Sequence, residues 1–136
     1  MIEPVTRRIA GVLDTTEMRE LRAKHAADVV REARNYRWVG IFDVGDEEIE
    51  IIGHTGVQAP AFVRFPVTQG LSGEAVRTRE TVVSGAGSEM VVPILGAETG
   101  IVIGTLDVES ERTGAFGEDD RRFLEACAQA LVPLYE

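Results

Sequence analysis

The sequence is poor in the residues that most often carry metal or redox chemistry. It contains one cysteine, Cys127, which excludes an internal disulfide and agrees with a cytoplasmic location. Its two histidines, His25 and His54, are far apart and lack the paired spacing of zinc ligands. We therefore expect no bound metal ion.

Long apolar runs and clustered positive charge are also missing. No stretch approaches the roughly 20 apolar residues that a membrane helix needs, and the N-terminal segment lacks the continuous apolar core of a signal peptide. The formal net charge is −9, so the average field of the chain repels a phosphate backbone. These absences favour a cytoplasmic protein that binds neither membranes nor nucleic acids.

The remaining composition is that of a globular protein. The chain has 136 residues, of which 44% are hydrophobic and 27% are charged. A chain of this length can bury a sufficient core without a disulfide or a metal ion. It contains no internal repeat and no flexible linker, so we expect residues 1–136 to form a single domain.

Helical periodicity appears at both ends of the chain. Apolar residues recur at helical spacing over residues 5–13. Asp14 followed by Glu17 resembles a capping box, which predicts a second helix from about residue 15 to residue 35. A last helix is predicted over residues 118–135, with three acidic side chains in its first turn.

The middle of the chain has the period of β-strands. Residues 38–44 are apolar on both faces, which predicts a central strand covered on both sides and paired in a hairpin with residues 48–51. Ser72 is predicted to cap a short helix. Further strands are expected over residues 62–65, 81–84, 89–95 and 101–110. The order predicts an α+β fold, with a mostly antiparallel sheet, terminal helices on one face, and loops and the short helix over a pocket on the other.

Two carboxylates stand out on the last predicted strand. Asp107 and Glu109 are two residues apart, so their side chains point to the same face at a spacing of about 7 Å. Such a pair repels itself on a partly covered face unless a cation lies between the two groups. A ligand ammonium group or a metal ion would relieve the repulsion. Alternatively, both acids lie in water at the strand end.

Several segments between Asn35 and Leu131 form an ordered series of motifs. They are Trp38–Phe42, Arg64–Pro66, Gly70–Gly73, Ser88–Pro93, Ile103–Ser110 and Phe116 followed by Glu118–Asp120. Together these segments resemble the GAF domain family and, within it, the free methionine-(R)-sulfoxide reductases. The resemblance implies a GAF fold of about six strands, related to the PAS fold. It also implies that Glu89, Asp107 and Glu109 match acids that hold polar groups of the reductase substrate, and that Trp38 and Phe42 match aromatic positions of the pocket.

The chain departs from the reductases at the positions of their cysteines. At these positions it has Phe62 and Ser72, and a third loop is shortened to Gly85–Gly87. A phenylalanine cannot supply a thiolate, and a serine cannot cycle through a disulfide. Cys127 on the closing helix is interpreted as a small buried hydrophobe. Thiol-dependent methionine sulfoxide reductase activity is therefore not expected.

Other ligands of this family also fit the sequence poorly. The motif of cyclic-nucleotide domains is incomplete, because Arg121 replaces its glutamate and the chain has only one lysine, Lys24. A pocket cysteine for a bilin is missing, and neither histidine is well placed as an axial haem ligand. We expect no cofactor.

The sequence leaves three functional hypotheses. The first is a non-catalytic sensor domain that binds an amino-acid-like small molecule through Trp38, Phe42, Phe62, Glu89, Asp107 and Glu109. The second is a protein-interaction or dimerisation module whose pocket is filled by Phe62 and neighbouring side chains. The third is a degenerate relative of the reductases that uses its carboxylates as acid–base groups.

We also expect a homodimer formed through the terminal helices. Its interface is predicted to use Val5, Ile9, Phe123, Leu131 and Leu134.

Overall fold

The computed structural model describes residues 2–136. The described residues form four α-helices, six strands and a terminal 3₁₀ turn. In chain order they are α1 (Glu3–Leu13), α2 (Arg19–Arg34), β1 (Trp38–Val44), β2 (Glu48–Gly56), β3 (Arg64–Pro66), α3 (Gly70–Thr78), β4 (Val82–Val83), β5 (Glu89–Leu95), β6 (Val102–Glu109), α4 (Glu118–Ala130) and the turn Val132–Tyr135.

The strands form one antiparallel sheet in the order β3-β2-β1-β6-β5-β4. β1 lies inside the sheet, as its two apolar faces predict. Val39 and Ile41 pack into the larger core, which α1, α2 and α4 cover, whereas Trp38 and Phe42 belong to a smaller cluster on the opposite face. The predicted α+β fold and its division into a helical face and a looped face are confirmed.

The start of the second helix was predicted wrongly. Asp14 is the C-terminal cap of α1, and α2 begins at Arg19 with Met18 as its N-terminal cap. The side chain of Leu13 is buried and completes the apolar stripe of α1. Residues 14–18 therefore form the connection between α1 and α2 rather than the first turn of α2.

Two other helix boundaries also differ from the sequence prediction. α4 ends at Ala130, because Pro133 lacks an amide hydrogen and disfavours helical geometry at the preceding residue. α3 begins at Gly70 with Gln69 as its cap. Ser72 is therefore the third helical residue and does not cap α3.

Most of the side chains predicted for a dimer interface lie inside the chain's own core. Ile9, Phe123, Leu131 and Leu134 are at most 2% exposed, and only Val5 at the edge of the core is partly accessible. A dimer would have to use other residues, and dimerisation itself stays a prediction.

Within residues 2–136, no helix combines the length and the apolar character needed to span a lipid bilayer.

Candidate functional site

A cavity of about 280 Å³ lies on the looped face of the sheet, beneath α3 and the segment that connects β2 to β3. All six residues that the sequence analysis selected line it. The complete lining is Trp38, Phe42, Gln58, Ala59, Pro60, Ala61, Phe62, Phe65, Gln69, Gly70, Leu71, Ser72, Glu89, Asp107 and Glu109.

Three carboxylates meet at one side of the cavity because of the register between β5 and β6. Glu89 on β5 pairs directly with Glu109 on β6. Two residues further into the sheet, Val91 on β5 pairs with Asp107 on β6, so Asp107 points to the same face as the two glutamates. One carboxylate oxygen of each acid lies within 4.8 Å of the others. Asp107 is only 8% exposed, and its buried Oδ1 has no hydrogen-bond partner among the described residues.

The electrostatic state of the acids follows from this crowding. Burial raises the pKa of Asp107 well above its usual range, and the charge of Glu89, a hydrogen bond shared with Glu89 and the charge of Glu109 raise it further. Burial also raises the pKa of Glu109, with a smaller contribution from Glu89 in the same direction and an opposing one from Arg37. The positive charge around the three carboxylates therefore does not compensate their negative charge.

Aromatic side chains form an apolar wall beside the acids. The ring of Trp38 lies 6.5 Å from that of Phe42 between centroids, and Phe65 packs edge-on to Phe42 at 5.9 Å. Gly40 makes this arrangement possible, because a Cβ atom at that position would lie 2.4 Å from the indole of Trp38. Phe62 lies 6.3 Å from Phe65 and is 59% exposed at the cavity mouth.

The connection between β2 and β3 is attached to the start of β1 by two hydrogen bonds. The indole nitrogen of Trp38 donates to the carbonyl oxygen of Gln58 at 3.1 Å, and the guanidinium of Arg37 donates to its side-chain oxygen at 2.9 Å. This attachment holds the segment that carries Phe62 over the acids.

The first turn of α3, from Gly70 to Ser72, also lines the cavity. The first amide groups of a helix have no intrahelical acceptor and carry the positive end of its dipole. Gly73 allows a close approach here, because a Cβ atom would lie 2.5 Å from the backbone of Thr68. The lining of the cavity therefore includes the start of a helix, which suits an anionic group, as well as carboxylates, which suit a cationic one.

Several lining residues have no clear signal in the sequence. Gln58, Phe65 and Gln69 lie in or beside irregular segments, where no periodicity indicates which side chain points inward. The apolar cluster of Phe42 and Phe65 becomes apparent only when β3 is placed beside β2.

The arrangement can bind a cation, because three carboxylates can coordinate a divalent metal ion or accept hydrogen bonds from an ammonium group.

Cys127 lies on the other side of the sheet in the helical core and is completely buried. Burial raises the pKa of its thiol to about 12. This thiol therefore contributes nothing to the cavity.

Comparisons with known proteins agree with the geometry. The family model described as GAF domain matches residues 22–132. The structure of a free methionine-R-sulfoxide reductase from Neisseria meningitidis, in complex with its substrate, is similar with a TM-score of 0.81 and 28% identity, over 98% of this chain and 87% of that one.

A crystal structure of a putative GAF sensor protein from Burkholderia vietnamiensis is similar with a TM-score of 0.82 and 24% identity, over 96% of this chain and 90% of that one. A structure of fRMsr of Staphylococcus aureus, in complex with substrate, is similar with a TM-score of 0.81 and 22% identity, over 99% of this chain and 95% of that one. At these identities the likeness shows the fold alone. No curated protein matches the chain significantly by sequence.

Proposed function

The chain belongs to the GAF domain family, and we propose that it is a non-catalytic sensor domain that binds a small molecule with an amino group, such as a free amino acid. The observation that carries this proposal is the buried carboxylate of Asp107, whose Oδ1 has no hydrogen-bond partner within residues 2–136. A buried carboxylate beside two others is costly unless a cation compensates it. A ligand ammonium group would supply both the charge and the missing donor.

The surroundings of the acids favour an organic ligand over a bare metal ion. The aromatic wall of Trp38, Phe42 and Phe62 gives an apolar surface that a metal ion alone would not use. The first turn of α3 offers amide groups for a carboxylate. A free amino acid has an ammonium group, a carboxylate and, in many cases, an apolar side chain, and therefore fits all three features. The similarity to proteins named as free methionine-R-sulfoxide reductases supports the same ligand class.

The non-catalytic part of the proposal rests on the side chains around the cavity. Phe62 and Ser72 line it, at positions where the resemblance places cysteines of the reductases. The single thiol of the chain, that of Cys127, is buried on the opposite side of the sheet. Binding without turnover is the role that these side chains can perform.

The openness of the cavity supports small-molecule binding over the interaction module with a filled pocket. Phe62 was the side chain expected to fill the interior in that hypothesis. Instead it is 59% exposed and leaves a volume of about 280 Å³ beside the acids.

A thermal-denaturation screen tests the proposal. The panel contains free L-amino acids, methionine sulfoxide, their N-acetyl derivatives, cyclic nucleotides, Ca²⁺ and Mn²⁺. A ligand at 100 times its dissociation constant adds about 2.7 kcal/mol of stability, which raises the midpoint by several degrees in a domain of this size. A rise with a free amino acid and none with its N-acetyl derivative is expected. A panel in which no free amino acid raises the midpoint would overturn the proposal.

A further inference from the structure

A second cavity, of about 400 Å³, lies where the C-terminal end of α2 meets the loop after β6. It shares no lining residue with the acidic cavity. Its charged lining consists of four arginines, Arg31, Arg34, Arg37 and Arg112, and two carboxylates, Glu111 and Asp120. This is a local excess of positive charge in a chain whose net charge is −9.

One of the four arginines, Arg34, already has partners within the protein. The guanidinium of Arg34 donates to Asp120 at 3.2 Å and lies over the ring of Phe123 at 4.4 Å. Asp120 also accepts a hydrogen bond from the hydroxyl of Tyr36 at 2.8 Å. The charges of Arg34 and Asp120 therefore compensate each other and hold α2 against α4.

The other three arginines retain donors. Arg31 uses only its Nε, which donates to the carbonyl oxygen of Arg37 at 3.3 Å. Arg37 uses one terminal nitrogen, which bonds to Gln58. In the described part of the chain the guanidinium of Arg112 has neither a hydrogen bond nor an ion pair, and only its backbone amide is bonded, to Ser110.

Helix capping does not account for this cluster. Basic side chains in the last turn of a helix offset its dipole, which explains Arg31 and Arg34. Arg37 and Arg112 lie outside the helix, on the approach to β1 and in the loop after β6. Both line the same cavity as Arg31, so an anion bound there would meet three guanidinium groups.

We propose that this cavity binds a small polyanion with two or more phosphate or carboxylate groups, held by Arg31, Arg37 and Arg112. The planar fork of a guanidinium group binds either group with two parallel hydrogen bonds. The volume lies within the usual range of small-molecule sites. A long nucleic acid is a poor candidate because the rest of the chain is negative. The proposal does not depend on the ligand of the acidic cavity.

Isothermal titration of the full chain with pyrophosphate and with citrate, at constant ionic strength, tests the proposal. At least one of these probes should bind saturably at one site. Binding of pyrophosphate alone would assign phosphate groups, and binding of citrate alone would assign carboxylates. The absence of saturable binding to both probes would overturn the proposal.

Matched variants separate a built site from a general field effect. The double substitution Arg31→Gln/Arg112→Gln should weaken binding by at least about 10-fold, since each arginine contributes charge-assisted hydrogen bonds. The control Arg8→Gln/Arg77→Gln removes the same charge from surfaces that line neither cavity and should preserve the affinity. If the first double variant does not fold, Arg112→Gln in an exposed loop should still weaken binding by about 3-fold. An equal loss in the control, or no loss in either arginine variant of the cavity, would refute the site.

Discussion

Glu89 at the start of β5 faces Glu109 at the end of β6 as its direct register partner. Two like charges in such a position destabilise a sheet. Asp107 adds a third carboxylate, with an oxygen of each acid within 4.8 Å of the others. The sheet therefore keeps a locally unfavourable cluster at the wall of a cavity.

Substitution of Asp107 by Asn should stabilise the unliganded protein at neutral pH. The change removes a buried charge and supplies donors to the neighbouring carboxylates. We expect a gain of about 1 kcal/mol, which corresponds to roughly 3–5 °C in the denaturation midpoint. The control Asp46→Asn lies in an exposed turn and should leave the midpoint unchanged. A midpoint for Asp107→Asn equal to or below that of wild type would contradict the prediction.

The stability difference between wild type and Asp107→Asn should depend on pH. The folded-state pKa of Asp107 is raised by burial and by Glu89 and Glu109, and that of Glu109 by burial and Glu89 against an opposing Arg37. Protonation therefore favours the folded state. The stability gained from protonation is complete below the ordinary pKa values of the two groups, 3.8 and 4.5. It is lost as the pH rises through their higher pKa values in the folded state.

Urea denaturation of both proteins over a series of pH values, from the ordinary pKa values of 3.8 and 4.5 up to the alkaline range, measures this effect. The advantage of the variant should be small at the acidic end and largest at the alkaline end. In wild type, the affinity for an amino-group ligand should change in the opposite sense to the stability and fall as the acids take up protons. An advantage that is constant over the range would show that the charge of Asp107 does not cause it.

Phe62→Ala should weaken ligand binding without weakening the fold. The side chain is 59% exposed, so its loss should change the free energy of unfolding by less than about 0.5 kcal/mol. Loss of an aromatic contact to the ligand should lower the affinity by about 5-fold. Ile101→Ala removes a side chain of similar exposure, 57%, just before β6 and at the end of that strand away from Glu109. If both variants bind alike, Phe62 does not contact the ligand.

Gly40→Ala should distort the aromatic wall. The added methyl group would collide with the rings of Trp38 at 2.4 Å and Phe42 at 2.9 Å. We expect a loss of about 1–3 kcal/mol and an altered fluorescence spectrum of Trp38, the only tryptophan. Gly11→Ala, where nothing lies within 4 Å of the new methyl group, should instead stabilise α1 by up to about 1 kcal/mol. An unchanged spectrum in Gly40→Ala would contradict the packing described for Trp38.

Cys127 should be inert in the native protein. It is completely buried, and the pKa of its thiol is raised to about 12. An aromatic disulfide reagent at neutral pH should modify it only at the rate of unfolding, whereas the urea-unfolded chain should react immediately. Rapid native-state modification would place an accessible thiolate in a molecule that is proposed to have none.

The fold was largely predictable because its main signals are local. The two-sided apolar run of β1 and the alternation around Asp107 and Glu109 indicate strands and faces without knowledge of their neighbours. Helix boundaries were less predictable, since Asp14 and Glu17 match a capping pattern that the packing of Leu13 overrides. Propensity is a weak signal where tertiary burial competes with it.

The site was predictable only in part because its residues come from separate segments. Asp107 and Glu109 follow from the period of one strand, whereas Glu89 needed a family resemblance, because nothing local indicates its register with Glu109. Gln58 and Gln69 come from segments without periodicity. The cavity that Arg31 and Arg112 share was not predictable for the same reason, because it forms only where α2 meets the loop after β6.

The most direct test of the proposed function is a fluorescence titration that uses Trp38 as the reporter. Wild type and Asp107→Asn are each titrated with the common free L-amino acids and with their N-acetyl derivatives. We expect at least one free amino acid to give a saturable change in wild type and its N-acetyl derivative to give none. Asp107→Asn should bind that amino acid at least about 10-fold more weakly. Equal binding of the free and N-acetylated forms, or no response to any free amino acid, would contradict the proposed function.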